Sequence, residues 1–200
     1  MNTRIAPRSA GSLVKTMKFQ ATLLGTSIGA AWLALGVNLI TGGMLLPLGI
    51  IPRTTIGLRG ILLAPFLHAN MAHLLANTTS FAVLGWLVML RDKRHFGRVT
   101  LFAALSSGLL SWLLGAPGSV HIGASGVIFG YLGFLMASGW YARTFASVLL
   151  SLGVTALWGG LVFGVLPTTP GVSWQGHLGG FIGGVLVARA FREKSVSGRP

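Results

Sequence analysis

Two kinds of side chain are scarce in this 200-residue sequence: it has no cysteine, and Asp92 and Glu193 are its only acidic residues. The absence of cysteine excludes disulfides, thiolate nucleophiles and cysteine-ligated metals. The shortage of carboxylates almost excludes paired-carboxylate catalysis and carboxylate-rich metal sites, because each needs several acidic groups close together. Chemistry in this chain therefore has to use histidine, serine, asparagine or the backbone.

Charged residues together make up only 8% of the chain, whereas a soluble domain carries about a quarter. Hydrophobic residues make up 52%, and the mean hydropathy is +0.77. This composition predicts an all-α, polytopic membrane protein with one domain. Six apolar stretches are candidate spanning helices: residues 19–40, 71–90, 99–115, 124–140, 145–166 and 176–191. The predicted membrane domain is thus 19–191, between a basic cytoplasmic tail, 1–18, and a short cytoplasmic tail, 192–200.

The basic residues indicate how these helices are oriented. Arg53 and Arg59 lie in the segment after the first span. The other Lys and Arg residues lie before the first span, or at the end of the second, fourth or sixth span and in the segments that follow these spans. The positive-inside rule therefore predicts that both termini are cytoplasmic. The charges form no single basic stripe, which argues against nucleic-acid binding. We expect the first span to be a retained helix and not a signal peptide, and the membrane to be a bacterial inner membrane.

The connection between the first two spans, residues 41–70, is much longer than the others. It contains the segment IGLRGILLAPFLH, residues 56–68, which is too apolar for a free loop. We expect this segment to lie along the outer membrane surface. The sequence thus predicts a bundle of six transmembrane helices with a long outer loop between helices 1 and 2.

Four polar residues on three predicted helices fall at a similar depth, just inside the outer face. His73 and Asn77 are four residues apart and therefore share one side of the second span. Ser125 begins the fourth span, and His177 begins the sixth. Polar and ionisable groups inside a membrane are costly and mark functional sites by default. We therefore expect these four residues to form a functional site at this depth of the membrane.

These residue types suit nucleophilic catalysis. A serine hydroxyl needs a neighbouring base to accept its proton, and a neutral imidazole does this near pH 7. Attack on a carbonyl creates an oxyanion, for which Ser125 at a helix N-terminus offers backbone N–H groups. His73 and Asn77 can add side-chain donors. Gly123 and Gly126 flank the serine without side chains, which leaves room for a substrate and for another helix.

Glycines recur every four residues on the two spans that carry the serine and the second histidine: Gly126 and Gly130, and Gly176, Gly180 and Gly184. Small residues at this spacing let membrane helices approach closely. Ser125 and His177 should then lie next to each other at the adjacent ends of two tightly packed helices.

Three short motifs resemble those of the rhomboid family of intramembrane serine proteases. GASG, residues 123–126, resembles the family's nucleophile motif, and GHLGG, residues 176–180, resembles its histidine motif. HANMAHLLAN, residues 68–77, resembles the pattern on the second helix that helps to form the oxyanion site. The motifs occur in the family's order and on the expected helices, and the resemblance covers most of the chain.

The resemblance implies that another protein's transmembrane segment is cleaved near its outer end, after a small residue, without metal or cofactor. It implies that Ser125 is the nucleophile and His177 the general base. The oxyanion donors it implies are His73, Asn77 and the Ser125 backbone N–H. Both acidic residues are expected on the cytoplasmic side, so the composition leaves a Ser–His dyad and not a triad.

The resemblance also implies supporting roles and shows two departures. His68 is expected to help shape the site. Phe129 stands where many members have a tyrosine that stacks on the catalytic histidine. The family's Trp-Arg pair in the first loop is matched only in part, by Leu58 and Arg59.

Other interpretations of the same residues stay open at this point. Ser125 can be a packing residue, and His177 can simply bond a carbonyl. His73 and Asn77 can satisfy the backbone of the long loop. His121 is a competing base, and a haem or copper site on two histidines is conceivable, although the zinc-peptidase motif is absent. For the whole protein, the alternatives are a non-catalytic rhomboid-like protein that binds transmembrane clients and a small channel.

Overall fold

The computed structural model describes residues 10–91 and 93–190, and the regular elements in these ranges are helical. The α-helices are α1 (Ala10–Ile40), α2 (Gly60–Leu63), α3 (Met71–Arg91), α4 (Lys93–Leu114), α5 (Ser125–Ala142), α6 (Phe145–Trp158) and α7 (Trp174–Ala190). The predicted all-α class is therefore confirmed. The predicted tail 192–200, half of the tail 1–18 and both acidic residues lie outside the described residues.

Four stretches of the described chain are long and apolar enough to cross a membrane: Val14–Ile40, Met71–Arg91, Phe96–Leu114 and Phe145–Val165. Many of their large apolar side chains are exposed, as in a protein whose surface faces lipid. The other two predicted spans correspond to α5 and α7, and the six-span topology stays a prediction.

Helix α5 lies at the centre of the bundle. Every residue from position 126 to position 135 is buried, because α5 packs against α3, α4, α6 and α7. A helix that is apolar on all sides suits such a position. The largest core cluster surrounds it and includes Leu84, Val88, Val99, Tyr131, Leu132 and Val187. The elements that carry the candidate site are thus anchored on this helix.

Helices α1 and α6 differ most from their predicted bounds, and α4 starts at Lys93, six residues before its predicted span. Helix α1 starts at Ala10, nine residues before the predicted span, because no proline interrupts the sequence up to Ile40. Helix α6 ends at Trp158, and Gly159–Val165 tighten into a 3-10 helix of seven residues. Glycines at positions 159, 160 and 164 weaken the α-helix there. A 3-10 run of this length is uncommon and marks a strained or functional segment.

The connection 41–70 is built from short helical turns, and its apolar part, Ile56–Phe66, packs against α4. Main-chain hydrogen bonds link it to the segment that precedes Ser125. Ile50 pairs with His121 in an isolated antiparallel bridge, and the Gly123 N–H donates to the Ala64 carbonyl at 2.8 Å. These bonds fix the approach of the chain to the start of α5.

Candidate active site

The first turns of α5 and α7 bring Ser125 and His177 into contact. Ser125 is the first residue of α5, and His177 is the fourth residue of α7. The His177 Nε2 and Ser125 Oγ atoms are 2.8 Å apart, which is hydrogen-bond distance. The two residues that the sequence assigned as base and nucleophile are therefore neighbours in space.

The other imidazole nitrogen of His177 has a partner in the 3-10 helix that follows α6. His177 Nδ1 lies 2.9 Å from the carbonyl oxygen of Gly164. A carbonyl can only accept, so Nδ1 carries the proton in this arrangement and donates it to the hydrogen bond. Nε2 is then unprotonated and can accept from the Ser125 hydroxyl.

Phe129 fixes the plane of the same imidazole. The two rings are stacked, with centroids 4.1 Å apart and planes at 9°. Phe129 lies one helical turn after Ser125 on α5, so the helix that carries the hydroxyl also positions the ring that faces it. The imidazole is thus held by three contacts: a hydrogen bond on each nitrogen and an aromatic ring on one face.

The glycine faces of α5 and α7 meet directly, as their spacing predicts. A Cβ atom on Gly180 would overlap the carbonyl oxygen of Gly126, and one on Gly184 would overlap that of Gly130. The backbones are therefore in contact with no side chain between them. This close crossing sets the distance between the ends that carry Ser125 and His177.

His73 and Asn77 approach Ser125 from α3 and border the same cavity, which has a volume of about 960 Å³. Both side chains lie next to Gly123, in the loop before α5. The φ angle of Gly123 is +110°. A Cβ atom on Gly123 would lie 2.8 Å from His73 Nε2 and 3.6 Å from Asn77 Nδ2. Both the backbone conformation and the space thus require glycine. Asn77 Nδ2 is buried without a hydrogen-bond partner in the described part of the chain, so the cavity wall holds an unused donor.

His68 lies behind His73. His68 is 1% exposed, and its ring meets the His73 ring edge-on, with centroids 4.9 Å apart. Burial, and after it the neighbouring His73, lower the pKa of His68 to about 4, so His68 is neutral near pH 7. It borders a separate groove beside α1 and acts on the cavity only through His73. This position fits the supporting role implied for it.

His121, the competing base, has other partners for both ring nitrogens. Its Nδ1 lies 2.6 Å from Ser173 Oγ, and its Nε2 lies 3.0 Å from Ser119 Oγ. Burial lowers its pKa. Because Ser173 directly precedes α7, this histidine ties the loop before α5 to the start of α7.

Two residues that contact the histidines of this region, Ser173 and Gly164, were not predicted from the sequence. Ser173 could have been noticed in the sequence, because a serine just before a predicted helix is typical of a helix start. Gly164 could not, because it contributes only a main-chain carbonyl, which every residue possesses. Its part in the site depends on how the chain folds after α6.

Comparison with known proteins shows which family the chain belongs to. A model of the Rhomboid domain matches residues 57–194, more than half of the chain. The chain belongs to the rhomboid family. An uncharacterized protein of Mycobacterium tuberculosis (strain ATCC 25618 / H37Rv) is 39% identical over 175 residues, which cover 84% of this chain and 73% of that protein. An uncharacterized protein of Mycobacterium leprae is 43% identical over 137 residues, 64% of this chain and 54% of its own length.

A plant protein named as rhomboid-like is also similar. RHOMBOID-like protein 1 of Arabidopsis thaliana is 34% identical over 134 residues, which span 63% of this chain and 32% of that protein. Family membership together with the apolar helices makes this rhomboid a multi-pass membrane protein that contacts the lipid bilayer. The match to the Rhomboid domain contains every candidate site residue, from His68 to His177.

Proposed function

We propose that this rhomboid is an intramembrane serine endopeptidase that cuts a transmembrane segment of another membrane protein. The observation that carries the proposal is the 2.8 Å contact between His177 Nε2 and Ser125 Oγ at the wall of a large cavity. A packing serine needs no imidazole at this distance. A structural histidine needs no second partner beyond the Gly164 carbonyl.

Substrate reaches the cavity from the lipid, between α3 and α6. The 3-10 segment after α6 forms part of the cavity wall through Leu161, and its Phe163 side chain is 71% exposed. A substrate helix has to unwind locally, because its carbonyls are otherwise hydrogen-bonded within the helix. The loop from Pro167 to Trp174 also borders the cavity and admits water from the outer side.

Ser125 Oγ then attacks the carbonyl carbon of the scissile peptide while its proton moves to His177 Nε2. The carbonyl oxygen becomes an oxyanion, which accepts hydrogen bonds from the Ser125 N–H, His73 and Asn77. The C–N bond breaks as His177 gives its proton to the leaving amine, and an ester remains on Ser125. Water attacks this ester with His177 again accepting the proton, which releases the carboxyl product and the free serine.

The dyad works without an acidic third member. The Gly164 carbonyl occupies the place at Nδ1 that an aspartate has in a catalytic triad. A neutral acceptor stabilises the developing imidazolium less than a carboxylate does, so we expect slow turnover. The distribution of basic residues and the mycobacterial relatives support a bacterial inner membrane with both termini cytoplasmic and the site near the outer face.

The test uses detergent-purified protein and a single-span substrate with a small residue near its outer end. Wild type should cleave it, and Ser125→Ala and His177→Ala should not. Ser106→Ala is the matched control, because within the described residues the Ser106 hydroxyl bonds only the Phe102 and Ala103 carbonyls of its own helix. Equal cleavage by Ser125→Ala and Ser106→Ala would overturn the proposal. Binding of the substrate without cleavage by wild type would favour a non-catalytic client-binding protein.

A further inference from the structure

A second concave surface lies outside the candidate active site, between α1 and α4. It is a groove of about 630 Å³ whose floor is α3 and whose outer end is closed by the segment Ile56–Phe66. Its wall is largely apolar and includes Phe19, Leu23, Ala31, Phe66, Phe81 and Leu101. Helix α1 packs mainly against α3 and residues 64–66, so the groove is open along its length.

The length of this groove matches that of a lipid acyl chain. It runs along α1 from Phe19 to Ala31, which is about 18 Å at 1.5 Å per residue. One leaflet of a bilayer has a hydrocarbon thickness of about 15 Å, half of the full core. An acyl chain that extends through one leaflet therefore matches the length of this apolar groove.

The charge at one end of the groove indicates which kind of lipid head group it favours. Lys15 lies one turn before Phe19 on the same face of α1, and Lys18 directly precedes Phe19. The side chains of both lysines are exposed. Across the opening, Arg98 is exposed and follows Gly97, which lines the groove. Basic residues outnumber the two acidic residues on the cytoplasmic side, so this side carries a net positive charge. Basic residues next to a membrane helix attract anionic lipid head groups.

We propose that the groove between α1 and α4 is a binding site for an anionic phospholipid of the cytoplasmic leaflet. The acyl chain lies along the apolar wall, and the phosphate lies between Lys15, Lys18 and Arg98. The upper end of the groove reaches His68 and Asn77, so the bound chain packs beneath residues of the candidate active site. The site does not depend on the proposed protease activity.

Binding can be measured without any substrate. Phosphatidylglycerol added to the detergent-purified full chain should raise the melting temperature more than the same amount of phosphatidylcholine, because a ligand of the folded state stabilises it. The triple variant Lys15→Gln, Lys18→Gln, Arg98→Gln should lose the difference between the two lipids. Equal shifts by both lipids in wild type would overturn the proposal.

The groove itself is tested by filling it. A Cβ on Gly97 meets nothing within 4 Å, so Gly97→Leu adds a side chain to the groove wall without a clash. Gly153→Leu on α6, equally open and away from the groove, is the matched control. Gly97→Leu should abolish the shift with phosphatidylglycerol, and Gly153→Leu should keep it; the same shift in both would refute the site. A photoreactive benzophenone residue at position 97 should crosslink phospholipid, whereas crosslinks to a second copy or another protein would assign the groove to that partner.

Discussion

Replacing Gly180 by alanine tests whether the close crossing of α5 and α7 sets the geometry of the candidate active site. The added Cβ would lie far inside van der Waals contact distance of the Gly126 carbonyl oxygen, which belongs to the main chain and cannot rotate away as a side chain could. The optimal separation of non-bonded heavy atoms is about 3.5 Å, so the helices would have to move apart by on the order of 1 to 2 Å.

That separation acts directly on the proposed dyad. Gly180 lies three residues after His177, and Gly126 follows Ser125, so the two backbones that move apart carry the 2.8 Å hydrogen bond. A misplacement of about 1 Å costs roughly 100-fold in rate. We therefore expect kcat/KM to fall by about 100-fold or more, which is about 2.7 kcal/mol of transition-state stabilisation.

Steady-state cleavage of the single-span substrate gives kcat/KM, and circular dichroism checks that helix content is retained. Labelling of Ser125 by a fluorophosphonate reports the nucleophile without requiring substrate entry, and it should slow in parallel. Gly29→Ala in α1 is the control, since a Cβ there meets nothing within 4 Å. If Gly180→Ala keeps kcat/KM within about 3-fold of Gly29→Ala, the close crossing does not position the dyad.

Three further substitutions probe other contacts. Asn77→Ala should lower kcat by about 10- to 1000-fold with little change in KM, because an oxyanion donor acts mainly in the transition state; an unchanged kcat would remove Asn77 from the mechanism. A Cβ on Gly164 would lie 3.2 Å from His177 Nδ1, so Gly164→Ala should lower kcat and Gly160→Ala, where nothing lies within 4 Å, should not. His68 takes a proton at its ordinary pKa of 6.5 when unfolded but only near 4 when folded, so the melting temperature should fall as pH falls through this window. His68→Asn should flatten that dependence, and equal slopes would refute the assignment.

Much of the fold follows from local pattern. The helical class and the approximate position of each long helix follow from apolar runs interrupted by Gly, Pro and basic residues. The contact between Ser125 and His177 follows from two glycine faces and the position of each residue at a helix start. These features depend on residue type and spacing, which the sequence displays.

Other features depend on how distant segments meet, and the sequence does not reveal them. The 3-10 helix Gly159–Val165 lies inside a continuous apolar run, and periodicity alone predicts that the α-helix continues to the end of it. His121 is four residues before Ser125, yet its partners are Ser119 and Ser173. Its orientation is set by the bridge to Ile50, a pairing across seventy residues that no local pattern encodes.

The main-chain partner of His177 has a consequence for inhibition. A carbonyl belongs to the backbone, so no side-chain substitution at position 164 deletes it, and the hydrogen bond is lost only when the segment itself is displaced. That segment exposes Leu161 and Phe163. A small apolar compound that binds behind residues 159–165 and displaces them would remove the hydrogen-bond acceptor of His177 Nδ1. We expect such a compound to weaken the proposed dyad from the lipid side, without occupying the cavity where substrate and water are proposed to enter.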